Sequence, residues 1–132
     1  MKDPNNPCIF CNEKKNNILE ENDYAYVSYD PYPVSLKHCL IVPKRHVKNY
    51  FDLSEKEILA CDQLIKNMKI QIEDKDKSVK GFNIGTNSGK AAGQSIMHCH
   101  IHLIPRREGD VKNPQGGVRS VIPLKQYYVR KP

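Results

Sequence analysis

His98-Cys99-His100-Ile101-His102-Leu103-Ile104 sets three histidines at alternate positions, with small or apolar residues between them. A period of two belongs to a β-strand, whose successive side chains leave on opposite faces. Residues 95–105 are therefore read as a strand. It turns His98, His100 and His102 to one face and Cys99, Ile101 and Leu103 to the other, toward a core. The chain has five histidines in 132 residues, so three in one short run need a chemical reason. Three protonated imidazoles side by side would repel, which leaves them neutral, metal-bound or facing an anion. Same-face neighbours on a strand sit about 6.6–7 Å apart, too far for all three to converge on one small ion. A row of nitrogen donors suits an extended anion better, such as a chain of phosphates.

Working outward, Asn87 to Gln94 (Asn-Ser-Gly-Lys-Ala-Ala-Gly-Gln) is a glycine-containing loop. Residues 79–86 before it read as a strand. Further upstream, Ser54 and Glu57 have the spacing of a capping box, with Leu53 and Ile58 as a hydrophobic staple. Ile58, Cys61, Leu64, Ile65, Met68 and Ile72 recur at helical spacing. This predicts a long helix from Ser54 to about Glu73, fading into a charged loop at 73–78. Residues 24–29 and 36–43 read as strands, the second buried. Asp30-Pro31-Tyr32-Pro33 breaks the first and Pro43-Lys44-Arg45-His46 closes the second. The tail from Arg106 is rich in Pro, Gly and charge, and 117–123 is expected to form a short strand or edge segment. Strands bracketing one long helix predict an α+β fold with an antiparallel sheet.

Length and composition set the frame. A chain of 132 residues predicts a single domain over 1–132, with a core near 8–123. At this size about 65–70% of the unfolded surface is buried on folding. Lys+Arg 21 against Asp+Glu 15 gives a net charge of +6, which favours anionic partners. The lysine-rich runs at 14–17 and 66–80 read as solvated surface rather than a nucleic-acid stripe. No apolar run approaches the ~20 residues of a membrane span, and the polar first residues lack the apolar stretch of a signal peptide. The cysteine count is five. An odd number without an export signal predicts a reducing compartment, the cytoplasm or the nucleus. Only Cys8 and Cys11 are spaced like ligands. Taken alone, that pair is weak evidence for a metal site and is open to incidental thiols or a redox couple.

The histidine strand resembles the His-φ-His-φ-His-φ-φ motif of the histidine triad (HIT) superfamily. The resemblance continues through Gly93-Gln94-Ser95, Cys8-Ile9-Phe10-Cys11, Asp30, His38, Pro43-Lys44-Arg45-His46, Asn87, Pro105-Arg106 and Gly116-Gly117-Val118-Arg119. It covers roughly residues 8–123. It implies a five-stranded antiparallel sheet with one long helix and a short helix, and a homodimer formed through that helix and an edge strand. The activity it implies is nucleotidyl hydrolysis or transfer at an α-phosphate, through a covalent nucleotidyl-histidine. His100 would be the nucleophile and His102 a donor to the phosphate or leaving group. His98 would position His100, its carbonyl accepting from the His100 ring, and His38 would pack beside the triad. Asp30 would bind the ribose hydroxyls; Asn87, Gln94 and Ser95 would contact phosphate, and Ile9 and Phe10 would line the base pocket.

Some members of the family carry a structural zinc on ligands matching Cys8, Cys11, His46 and His98, and this chain has all four. Two thiolates with two imidazoles make a closed zinc set. Ala92-Gly93-Gln94 and the run from Leu103 to Asp110 look like the fragile histidine triad and bacterial zinc-containing side of the family. That implies dinucleoside polyphosphates as substrates and AMP as product. The alternatives are a purine nucleoside phosphoramidase, or a nucleotide-binding protein with little turnover. Nucleic-acid end processing is disfavoured, because no aromatic-rich basic stripe and no C-terminal Cys/His zinc finger are present. One departure stands out. Lys37 occupies a position that is commonly Gly before the His38 equivalent.

Overall fold

The computed structural model describes residues 8–12 and 17–132. The polar N-terminus before Cys8, and most of the lysine-rich run at 14–17, lie outside the described residues. Five strands form one antiparallel sheet: β1 (Ile18–Glu21), β2 (Ala25–Tyr29), β3 (Cys39–Pro43), β4 (Val79–Gly85) and β5 (Ile101–Arg107), in the order β1-β2-β3-β5-β4. One long helix, α1 (Glu55–Lys75), covers a face of the sheet, and a short 3-10 turn, Tyr50–Asp52, lies just before it. Among the described residues, no helix is long and apolar enough to cross a membrane.

The start of α1 follows from two residues. Ser54 accepts from the Glu57 N–H while the Glu57 carboxylate accepts from the Ser54 N–H, so the capping box is complete. Glu57 has a second role: Arg45 donates to both of its carboxylate oxygens at 2.7 and 3.1 Å. That pair ties the segment after β3 to the first turn of α1. Leu53 buries against Val47 and Cys99, while Ile58 is left 37% exposed.

The helix places Ala60, Cys61, Leu64, Met68 and Ile72 against Ala25, Val27, Cys39, Ile41, Ile101 and Leu103 of the sheet. Each fully buried aliphatic side chain stabilises the fold by about 1.5–3 kcal/mol. Trimming the central Leu64 to Ala is expected to cost about 2–5 kcal/mol. On the opposite face Tyr26, Leu40 and Val42 are covered by Phe10. The Tyr26 hydroxyl donates to the Phe10 carbonyl at 2.7 Å, which fastens the 8–12 segment to the sheet.

Three expectations change. The fifth strand is β1, not 117–123. That tail segment runs through successive 3-10 turns at Pro114–Gly116, Val118–Val121 and Pro123–Lys125. Prolines at the first positions of two of these turns have no N–H for a ladder. The strand expected at 36–43 begins only at Cys39, because Lys37 takes φ +72° and turns the chain. The histidine strand begins at Ile101 rather than Ser95. The β3–β5 ladder spans only Cys39–Ile41 against Ile101–Leu103. Residues 96–98 bend instead, and the Cys99 N–H donates to the Val47 carbonyl at 2.8 Å. His98 and His100 therefore precede the regular strand that carries His102, although the Phe10 ring still contacts both of them.

Candidate functional site

His98 lies at the bend and is fully buried. Its Nε2–H donates to the Pro43 carbonyl at 2.8 Å, which leaves the Nδ1 lone pair facing Cys8, Cys11 and His46. Its own carbonyl accepts from the His100 Nδ1–H at 2.9 Å. That bond fixes the His100 tautomer and puts the lone pair on Nε2. Thr86 Oγ1 donates to the His100 carbonyl at 2.7 Å and pins the same segment to the end of β4. His102 stands beside His100, ring centroids 5.4 Å apart. Its Nδ1 is 2.9 Å from His38 Nε2, and Asp30 Oδ2 lies 3.4 Å from His38 Nε2 and 3.7 Å from His102 Nδ1. Burial pushes the pKa of both rings below the ordinary imidazole value, with Asp30 opposing. Burial thus favours the neutral form of both rings.

His100 and His102 line a cavity of about 630 Å³, a size suited to a small ligand. Ile9, Phe10, Leu40 and Ile96 make an apolar part, and Asp30, Asn87 and Ser95 bring polar groups to the same cavity. The Phe10 ring rests against His100 with centroids 4.9 Å apart. Asp30 serves its turn as well as the cavity, since Oδ1 accepts from the Tyr32 N–H at 2.8 Å.

Gln94 departs from expectation. It is 4% exposed and does not line the cavity. Its Oε1 accepts from the Gly89 N–H, and its Nε2 donates to the Lys48 and Ile96 carbonyls. With its amide bonded to Gly89, Lys48 and Ile96, the Gln94 side chain ties the 87–95 loop to the segment after β3. Gly89 and Gly93, at φ +95° and +91°, supply the left-handed positions that the loop needs. His38 and His98 sit behind the cavity wall rather than on it. Tyr29 and Tyr32 are cavity residues that sequence reasoning missed. Tyr32, 86% exposed between two prolines, carried the one usable signal, a large apolar ring left in water by a rigid turn.

The second cluster brings together all four residues expected to hold metal. Cys8 Sγ, Cys11 Sγ, His46 Nδ1 and His98 Nδ1 lie within 4.8 Å of one another. Individual separations are 3.2 Å between the two Nδ1 atoms, 3.2 Å from Cys11 to His46, and 3.3 and 3.5 Å from the two thiols to His98. A tetrahedral zinc site with Zn–N near 2.05 Å and Zn–S near 2.3 Å has edges of about 3.3–3.8 Å. The donor set and the His98 tautomer both fit such an ion. Four protein ligands would leave no open position on it.

These features define a HIT protein, and comparison with known proteins agrees. Residues 12–109 match the HIT domain family. A HIT-like protein of Saccharolobus solfataricus is 34% identical over 130 residues, covering 92% of this chain and 89% of that one. The adenosine 5'-monophosphoramidase of Saccharomyces cerevisiae is 32% identical over 105 residues, 76% of this chain and 63% of that protein. The crystal structure of a zinc-bound histidine triad family protein from Mycobacterium smegmatis superposes with a TM-score of 0.72 at 27% identity, covering 79% of this chain and 78% of that one. The chain belongs to the HIT domain family.

Proposed function

We propose that this protein is a nucleotide hydrolase that cleaves at an α-phosphate and releases a nucleoside 5'-monophosphate. One observation carries the reading: His100 is held through Nδ1 by the His98 carbonyl at 2.9 Å, on the wall of a cavity with both an apolar and a polar part. A neutral imidazole whose other nitrogen is anchored is a good nucleophile for phosphorus. His100 Nε2 attacks the α-phosphorus and an N–P bond forms. The bond to the leaving group breaks and its electron pair departs with the leaving atom. Water then cleaves the N–P bond and frees the monophosphate. Asn87 and Ser95 donate to phosphoryl oxygens as charge builds on them. Ile9, Phe10, Leu40 and Ile96 bury the base, and Asp30 accepts from the ribose hydroxyls.

Dinucleoside polyphosphates are the proposed substrates, with AMP as the product of a diadenosine compound. The yeast relative named an adenosine 5'-monophosphoramidase favours phosphoramidates as the second reading. Cys8, Cys11, His46 and His98 are proposed to hold zinc, whose role is to tie the N-terminal segment to the sheet. The edge strand β4 and α1 leave an apolar surface of Tyr50, Ile58, Leu59, Ile65 and Ile84 exposed or half-buried, around a groove of about 370 Å³. We assign it to a homodimer contact, for which light scattering is expected to give twice the chain mass at micromolar concentration. A panel of diadenosine polyphosphates and an adenosine phosphoramidate, ranked by kcat/KM, tests the function. AMP from every good substrate is expected. Tight binding without turnover, or products that never include the monophosphate, would contradict the proposal.

A further inference from the structure

His38 accepts a hydrogen bond at Nδ1 from the backbone N–H of Val34, at 3.1 Å. A backbone N–H only donates, so His38 Nδ1 is unprotonated and its proton is on Nε2. That Nε2 is 2.9 Å from His102 Nδ1. Two ring nitrogens at this distance share one proton, and His38 is the ring that has it. His102 Nδ1 is therefore the acceptor, and the His102 proton is on Nε2. The rest of the His102 ring, with a side chain 26% exposed, borders the cavity that His100 lines.

We propose that the Val34 amide sets the tautomer of His38, and His38 that of His102, so that His102 presents an N–H donor to the cavity. His38 is a positioning residue, acting through His102. The local backbone is arranged for this. Lys37 at φ +72° closes a turn in which the His38 N–H donates to the Ser35 carbonyl at 3.1 Å. Ser35 Oγ donates to the Pro105 carbonyl at 2.7 Å and fixes the turn to β5, the strand that carries His102. Asp30 is the rival partner. Its Oδ2, 3.7 Å from His102 Nδ1, would draw the proton onto Nδ1 and leave a lone pair facing the cavity. His38 prevents this by filling that nitrogen.

The same geometry decides a competing reading. Asp30, His38 and His102 offer three ligand atoms close enough for a metal ion. A metal on His38 Nε2 would need the proton on Nδ1, where the Val34 N–H already points. The Val34 bond thus opposes an ion at this second cluster.

The inference rests on the proposed hydrolysis only for its catalytic consequence, so the experiment has two separate readouts. Long-range proton–nitrogen NMR of histidine-labelled wild-type protein, with His102→Asn used for assignment, reads the tautomers directly. The expected result is protonated Nε2 and unprotonated Nδ1 on both His38 and His102. A protonated Nδ1 on His102 in the wild type would overturn the inference whether or not the protein is a hydrolase. In His38→Leu, His102 is expected to shift toward the Nδ1–H form, with kcat falling on the order of 10²-fold and KM little changed. In His38→Gln the amide can still accept from Val34 and donate to His102, and most of the lost kcat should return. An unshifted tautomer with full turnover in His38→Leu would also overturn it. Wild-type protein inactive on every nucleotide but with the expected tautomers would refute the hydrolase reading alone.

Discussion

His98 touches both of the molecule's chemical centres: its Nδ1 is 3.2 Å from His46 Nδ1, and its carbonyl is 2.9 Å from His100 Nδ1. The thiol–imidazole cluster and the proposed nucleophile are thus coupled through one buried residue. Cys8→Ser with Cys11→Ser is expected to remove about one zinc per chain and lower Tm by more than about 5 °C. Turnover should fall only modestly, because the cavity groups themselves are untouched. Metal analysis together with calorimetry checks this. Metal-free wild-type protein with unchanged Tm would count against the site.

Lys37 holds a left-handed conformation, φ +72°, that costs a residue with a Cβ roughly 1–2 kcal/mol. Lys37→Gly removes that cost but adds about 0.5–1 kcal/mol of unfolded-chain freedom. The net expectation is a gain of up to about 1.5 kcal/mol, or up to about 6 °C in Tm. Lys37→Val should lose stability, since a β-branched residue resists this region most. Urea titration of the two variants gives the sign of each change.

Glu57 is 3% exposed and holds both Arg45 and the cap of α1. The Arg45 hydrogen bond leads in keeping its pKa below the ordinary 4.5, against the opposing effect of burial. Its contribution is therefore complete above about pH 4.5 and is lost as pH falls through the lower folded value. Glu57→Gln should cost about 1–2 kcal/mol at pH 7, the solvent-exposed Arg45 end limiting the loss. The variant should also lose less stability than wild type between pH 5 and pH 3. An equal acid loss would argue against the assignment.

Burial lowers the pKa of His38 and His102 from the ordinary 6.5. Between that value and the lower folded ones, the unfolded chain binds more protons than the native protein. Stability should therefore be complete above about pH 6.5 and fall as pH drops below it. Denaturant midpoints at pH 7.5 and 5.5 measure the fall. His38→Gln, which removes one of the two titrating rings, should show a smaller one.

Sequence patterns that act locally were readable. Ser54 and Glu57 place the start of α1 within a residue, and the strands read at 24–29 and 79–86 match β2 and β4. The family resemblance groups Cys8, Cys11, His46 and His98, and the fold brings the same four together. What escaped was non-local. Nothing within Ile18–Glu21 marks a strand: it has four residues, two of them glutamates, and it holds only by pairing with β2. The alternation of His98, His100 and His102 is real, but the β3–β5 ladder starts only at Ile101, so His98 and His100 are held by contacts outside it. His98 then turns to the Pro43 carbonyl and the cysteines. Gln94 is expected at the phosphate only through the resemblance of its loop to that of the family. Its partners are the backbone groups of Gly89, Lys48 and Ile96, and only the folded loop brings them together. Tyr29 and Tyr32 became cavity residues through the turn that Asp30 caps.

The central claim is that His100 Nε2 forms a covalent bond to the substrate's α-phosphorus. Rapid acid or denaturant quench during turnover of a diadenosine polyphosphate, followed by peptide mass spectrometry under conditions that preserve N–P bonds, tests it most directly. The account predicts a nucleoside monophosphate adduct on His100 that appears and decays at rates compatible with turnover. His100→Asn should bind the same nucleotide yet form no adduct and release no AMP. An adduct on another residue, or near-wild-type AMP release by His100→Asn, would contradict it.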